Sequence, residues 1–373
     1  MEFDRSKRAK RLAIAGTVCL LMIYHWLSQL RRPISTIPVK RTVIIYSGPT
    51  SIHDTDGKNF MYLKNLDYFL QHGVSCSSVG VEVDYIIVLT RDVADQYSST
   101  DGLITKKKQE CKDEMTTLRA RAIGIPFHES FIDVMIRQNR CYDMESIRIV
   151  SQQRDLQKEY DNLVFVNCGM AGPKFGPNSP VPSGTHWSQL FTAPLTDSVR
   201  MVGLSINGCV KHQCRPHVQS FLYAISTQTL QLLLSEKRIY DCGDETSRIF
   251  VINLYEIGMS KTLINKGYSI ASAYLNNEEL GKSLIVNQTN LHLATNDLWV
   301  EDSLRNATMT IDQSSLKRSF GGGIGTKDIL PWDYYMFFKV SRFVPYDVQS
   351  EMEYDVDLLS KNKFQLFPIS AAD

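Results

Sequence analysis

Three unbroken apolar stretches bound what this chain can become: TVIIYSG at 42–48, VDYIIVLT at 83–90 and DNLVFVNCG at 161–169. Each is rich in β-branched residues and runs into a polar or turn-forming end, the pattern of a strand covered on both faces. A helix-like stretch through 59–72 separates the first two, and another through about 144–158 precedes the third. Strand, helix, strand predicts a parallel sheet, because parallel neighbours need a crossover connection. Further strands are expected at VRMVGLSING (199–208) and YSIASAY (268–274), with VQSFLYAISTQTLQLLLS (218–235) as a strand or helix hairpin. Residues 245–267 read as an amphipathic helix stopped by Gly267, and the aromatic run 331–343 as a strand or helix docked on the core. The polar stretch 91–111, with Lys106 to Lys108, is expected to be a solvated loop leading into a helix.

Hydrophobic residues at 43% and charged residues at 22% exclude a disordered or fibrous chain. The net charge of +1 hides one asymmetry, the cluster Arg5, Lys7, Arg8, Lys10 and Arg11. The body carries no basic stripe interleaved with aromatics, so nucleic acid is not an expected partner. Residues 12–30 hold no Asp, Glu, Lys or Arg, and at about 1.5 Å per residue they nearly span a hydrocarbon core of roughly 30 Å. With the basic cluster kept inside, the expectation is a single-pass type II protein of the Golgi or ER membrane. Its tail would be 1–11, its transmembrane signal anchor 12–30, its stem 31–41 and its lumenal domain 42–373. A cleaved signal peptide and a buried core helix are the alternatives; the end of the run lacks an A-x-A-like cleavage pattern.

Cys76, Cys111, Cys141, Cys168, Cys209, Cys214 and Cys242 form no CxxC pair, which argues against structural zinc. A lumenal compartment would permit disulfides, and Cys209 and Cys214 could close a small loop across VKHQ. Scattered core cysteines in a reducing compartment are the other reading. Asn287-Gln-Thr and Asn306-Ala-Thr are N-glycosylation acceptor sequons.

The junction Asn167-Cys168-Gly169-Met170-Ala171-Gly172-Pro173 is the most informative segment. A polar side chain on the last residue of a buried strand faces the ligand crevice, and Gly169 and Gly172 let a ligand approach the backbone. Tyr46 and Ser47 end the first strand in the same manner. Downstream come His186-Trp187, then His217-Val218-Gln219-Ser220, then Tyr255-Glu256-Ile257-Gly258-Met259-Ser260. A carboxylate in a largely apolar helix, such as Glu256, requires a partner or a function. No G-x-S-x-G elbow or H-E-x-x-H helix supports a hydrolase.

In order, FVNCGMAGP, HWSQLF, PHVQSFLYAIS and YEIGMSKTLINKGY resemble the rhamnan-synthesis F group of glycosyltransferases and related membrane-anchored eukaryotic sequences. VIIYSG, YLKNLDYFLQHG, VDYIIVLT and NRCYDMES look similar to that family's opening, so the likeness covers about residues 42–275, with a weaker echo at LPWDYYMFFKVSRF. The resemblance implies a Rossmann-like, type A glycosyltransferase-like α/β fold: a mostly parallel sheet flanked by helices. It implies an enzyme moving a sugar from a nucleotide-sugar donor to a glycan or glycoprotein acceptor. Asn167, Gly169, Gly172, Ser47 and Tyr46 are the donor-binding candidates, and His186, Trp187, Gln219 and Ser220 the substrate-binding ones. Glu256 and His217 are the catalytic candidates, because the acceptor hydroxyl must lose a proton as it attacks. Manganese or magnesium is a candidate companion of the donor, yet Cys168 stands where bacterial relatives tend to carry Asp, and no metal ligand is assigned. Asp54-Thr-Asp56 and Asp355-Val-Asp357 are literal Asp-x-Asp substitutes. The missing acid also motivates an alternative, an inactive glycan-binding or scaffolding protein of the same fold.

Overall fold

A computed structural model describes residues 39–53, 58–78, 81–121, 128–173, 185–204, 206–207, 216–236, 239–240, 247–277, 282–286 and 337–339. The chain divides into the units Met1–Val39 and Lys40–Asp373, and all but one of the described residues belong to the second. Its centre is an eight-stranded sheet. In chain order the strands are β1 (Arg41–Ser47), β2 (Glu82–Leu89), β3 (Ile132–Ile136), β4 (Asn162–Asn167), β5 (Val199–Gly203), β6 (Leu222–Ser226), β7 (Ser269–Asn277) and β8 (Lys282–Val286). They lie side by side as β8-β7-β5-β6-β4-β1-β2-β3. β4, β1, β2 and β3 run parallel, as do β5 and β7, while β6 is antiparallel to both its neighbours and β8 to β7.

Side chains alternate along each strand into two separate cores. On one face Ile44, Tyr46, Val164, Val166 and Leu222 pack with Leu66, Phe69, Val93, Ile104, Trp187 and Phe191. These come from α1 (Lys58–Tyr68) and the π-turn that extends it, α2 (Arg91–Tyr97), α3 (Leu103–Arg121) and the loop after β4. On the other face Val43, Ile45, Leu163, Phe165 and Tyr223 pack with Ile147, Val150, Leu230, Leu233, Met259 and Leu263. Those belong to α4 (Met144–Gln153), α5 (Thr227–Ser235) and α6 (Ile257–Asn265). Covering both faces is what makes the strands continuously apolar, and each fully buried Val, Leu or Ile contributes about 1.5–3 kcal/mol. A disulfide between Cys76 and Cys111 ties the segment after α1 to α3.

Several expectations are corrected. Among the described residues no helix is long and apolar enough to cross a membrane. Residues 12–30, where the transmembrane anchor was expected, lie outside the described residues, which form a mixed α/β fold with no membrane-spanning helix. The Golgi or ER membrane placement rested on the same helix and is not supported by any helix among the described residues. The stretch 91–111, expected as a solvated loop leading into a helix, is helical through most of its length as α2 and the start of α3. β3 was not expected. It is an edge strand whose Asp133 and the following Arg137 interrupt the apolar run. The segment 218–235 is a strand followed directly by a helix, and the end of β6 supplies the cap: Ser226 Oγ accepts from Thr229 N.

From β1 the chain moves outward to β2 and β3, then returns to place β4 on the opposite side of β1. The strand order reverses at β1, a topological switch point, and open α/β sheets hold ligands at the carboxyl ends of the strands there.

Candidate active site at the carboxyl ends of the strands

Ser47 and Asn167, the last residues of β1 and β4, are register partners, and Cys168 N donates to Ser47 O at 2.8 Å. The Ser47 and Ser146 hydroxyls lie 2.7 Å apart, pinning β1 to α4. Asn167 uses both ends of its amide: Nδ2 donates to Asp143 Oδ2 at 2.7 Å, and Oδ1 accepts from Gly169 N at 3.0 Å. A Cβ at Gly169 would sit 3.0 Å from that same Oδ1, pressing on the amide oxygen that Gly169 N bonds. Asp143 occupies the position just before α4. Burial pushes its carboxyl above the usual range and the nearby Glu256 carboxylate pushes the same way, against the hydrogen bond from Asn167.

Glu256 reaches this neighbourhood from the far half of the sheet. Its Oε1 accepts from Ser220 N at 3.1 Å, and the adjacent Phe221 carbonyl accepts from Asn167 N at 2.9 Å. Glu256 closes a π-helical segment, Ile252–Glu256, set between two α-helical stretches. Such bulges recur at functional sites because they re-aim one side chain on an otherwise regular helix. The expected residues Ser47, Asn167, Gly169, Ser220 and Glu256 are thus joined through short hydrogen-bonded links. Asp143 was missed. Its signal was present in NRCYDMES, where an Asp before a helix reads as a cap; the structure gives it no side-chain capping bond.

Beside this cluster lies an open cleft of about 800 Å³, also missed from sequence. Thr50, Thr90, Ile136 and the loop after β3 (Arg137, Gln138, Asn139, Arg140) line it at the carboxyl ends of β1, β2 and β3, with Glu145 and Arg148 of α4. Four arginines, Arg91, Arg137, Arg140 and Arg148, face two acids, Asp92 and Glu145, leaving two positive charges in excess. Arg137 is buried. It donates to the carbonyls of Gly48 at 3.2 Å, Tyr142 at 3.1 Å and Gln138 at 3.4 Å, and its Nε finds no partner among the described residues. It ties the loop carrying Asp143 to the end of β1. Excess guanidinium charge in a concave, partly desolvated site suits a phosphate-bearing ligand.

Other expected site residues serve the fold. Tyr46 points into the core and stacks on Phe69 with ring centroids 4.4 Å apart, so it is corrected from donor contact to packing. Trp187 is 1% exposed. Phe69, Phe191 and Phe337 surround its ring edge-on, and Nε1 donates to Gly73 O at 2.9 Å. No ring face is left for a sugar. His186 is buried between the Tyr85 hydroxyl, 2.9 Å away, and Ser188 Oγ, 2.8 Å away. Burial lowers its pKa to about 4. His217 begins a two-residue strand paired with Asn207 and packed against α6, and Gln219 is buried beside it. Gly172 has a φ of +139°, a backbone reason for glycine. Cys209, Cys214, Asn287, Asn306, Asp54, Asp56, Asp355 and Asp357 lie outside the described residues.

Among the described residues no three metal-ligating side chains converge at the strand end. Burial pushes the Cys168 thiol up to about 12, leaving it neutral, and both ends of the Asn167 amide are already bonded. Elsewhere Cys76, Glu110 and Glu114 lie close together, but the Cys76 sulfur is committed to its disulfide.

No protein-family model and no curated protein matches the chain. Among solved structures, HddC from Yersinia pseudotuberculosis is similar at 12% identity and a TM-score of 0.24, over 52% of this chain and 79% of its own. The UTP-bound UGPase from Acinetobacter baumannii is similar at 9% identity and a TM-score of 0.34, over 69% of this chain and 92% of its own. Both overlaps are too loose to bear on function.

Proposed function

We propose that the chain is a nucleotide-sugar-dependent glycosyltransferase acting on a glycan or glycoprotein acceptor. The observation that carries this reading is the adjacency of an arginine-lined cleft and a carboxylate pair, Asp143 and Glu256, at one topological switch point. The ordered motifs that resemble those of the rhamnan-synthesis F group support it. The donor's diphosphate lies in the cleft, where Arg91 and Arg140 meet the negative charge that builds on the leaving group. The sugar extends toward Asn167. An acceptor hydroxyl attacks the anomeric carbon, its proton passes to Asp143, and the nucleoside diphosphate departs with the electron pair of the broken C–O bond. Asp143 suits the role of base because its raised pKa brings it closer to the working pH. Glu256, held through Ser220 N, positions the acceptor.

Incubation of the full chain with a panel of nucleotide sugars is expected to release nucleoside diphosphate. Asp143→Asn should lower turnover about 100-fold or more while donor affinity is retained. Release unaffected by that substitution, or absent with every donor, would overturn the reading.

Cys168, standing beside Asn167 where an acid would be expected, motivates a second reading, a glycan-binding protein without turnover. It predicts that glycans bind, that no donor does, and that Asp143→Asn leaves glycan binding unchanged.

A further inference from the structure

Glu145 is the most deeply buried charge of the cleft, with a side chain 1% exposed. It lies in the first turn of α4 and accepts from two guanidinium groups at once. Arg148 forks onto it, Nε at 2.7 Å from Oε2 and Nη2 in a short bond to Oε1, while Arg140 Nε lies 3.2 Å from Oε1. The two arginines are engaged very differently. Arg148 also donates Nη1 to Gln152 Oε1 at 2.9 Å, so all three of its nitrogens are bonded. Arg140 spends only Nε, and its two terminal nitrogens have no partner among the described residues. Its side chain is 40% exposed on the cleft wall.

A buried carboxylate persists as a charge only when paired. One arginine would neutralise Glu145; the second gives the trio a net charge of +1 and places that excess on the guanidinium with open donors. Holding an arginine by Nε also fixes the plane of its fork before any ligand arrives, so the rotamer entropy of a long side chain is not lost on binding.

We infer that Arg140 is the residue that grips the phosphate-bearing ligand of the cleft, and that Glu145 is its positioning residue, with Arg148 as the counter-charge that lets Glu145 stay buried. This division of labour rests on the proposed nucleotide-sugar reading and names which of four arginines selects the diphosphate.

The test is a double-mutant cycle on the full chain, with inorganic pyrophosphate and then a nucleoside diphosphate titrated by calorimetry. Arg140→Ala should weaken binding about 10- to 100-fold, and Arg140→Lys should recover only part, because an ammonium cannot fork. Glu145→Gln should also weaken binding, yet Glu145→Gln with Arg140→Ala should bind no worse than Arg140→Ala alone. Additive losses would overturn the positioning role, since a purely structural Glu145 would act independently of Arg140. If Glu145→Gln fails to fold, the Arg140 pair still decides: unchanged affinity in Arg140→Ala overturns the assignment. A wild-type chain that binds neither probe removes the nucleotide-sugar reading and this assignment together, whereas wild-type binding untouched by Arg140→Ala removes this assignment alone.

Discussion

The Asn167 side-chain amide donates to Asp143 Oδ2 at 2.7 Å, joining the end of β4 to the start of α4. The bond opposes the burial that raises the Asp143 carboxyl. Asn167→Ala is therefore expected to leave a desolvated carboxylate without its donor, at a cost of about 1–3 kcal/mol. A urea-denaturation cycle with Asp143→Asn checks this. Coupling between the two positions of about 0.5–3 kcal/mol is expected, and strictly additive effects would show that the bond contributes nothing.

His186 gives a second, acid-side prediction. Its folded pKa of about 4 lies below the ordinary 6.5 because burial disfavours the imidazolium. Between those values the unfolded chain binds the proton and the native protein does not, so stability is full above pH 6.5 and falls as the pH drops toward 4. The loss is on the order of 3 kcal/mol. Asp84 loses stability in the same direction at lower pH, because hydrogen bonds from His128, the Phe131 amide and Tyr160 outweigh its burial and depress its carboxyl. The difference between wild type and His186→Gln isolates the histidine. Denaturant midpoints at pH 7 and pH 5 should converge in the variant, and parallel pH profiles would contradict the account.

The Cys76–Cys111 disulfide closes a loop with a sequence separation of 35 residues. A loop of that length constrains the unfolded chain by about 3–4 kcal/mol. The Cys76→Ser, Cys111→Ser double variant should unfold at correspondingly lower denaturant, and adding reductant to wild type should shift the midpoint at least as far, because Cys141 is disulfide-bonded as well. Coincident midpoints with and without reductant would show that the bond does not constrain the chain in solution.

What could be read from residues alone follows from burial. β1, β2 and β4 are covered on both faces, so their apolar runs stand out without knowledge of the fold. Asn167 stood out for the complementary reason, as a polar residue ending such a run. β3 was illegible because an edge strand tolerates charge at Asp133. α2 was illegible, and α3 legible only as a helix start, because their solvated faces carry most of the residues and dilute the helical period. The arginine cleft was hidden by its spacing. Arg91, Arg137, Arg140 and Arg148 come from three separate segments, and only the sheet order brings those segments together. Trp187 had two readings, a sugar-stacking face and a core ring, and its place among Phe69, Phe191 and Phe337 agrees with the second.

The central claim is that a nucleotide-sugar donor occupies the carboxyl ends of β1 to β4, from the arginine cleft to Asn167. Amide hydrogen exchange of the full chain, with and without a saturating donor found in the nucleotide-sugar panel, tests this most directly. Added protection is expected at 48–50, 90–92, 137–146 and 167–169. Protection confined to the amino ends of the strands, around Arg41, Glu82 and His128, or unchanged exchange at all four segments, would contradict it.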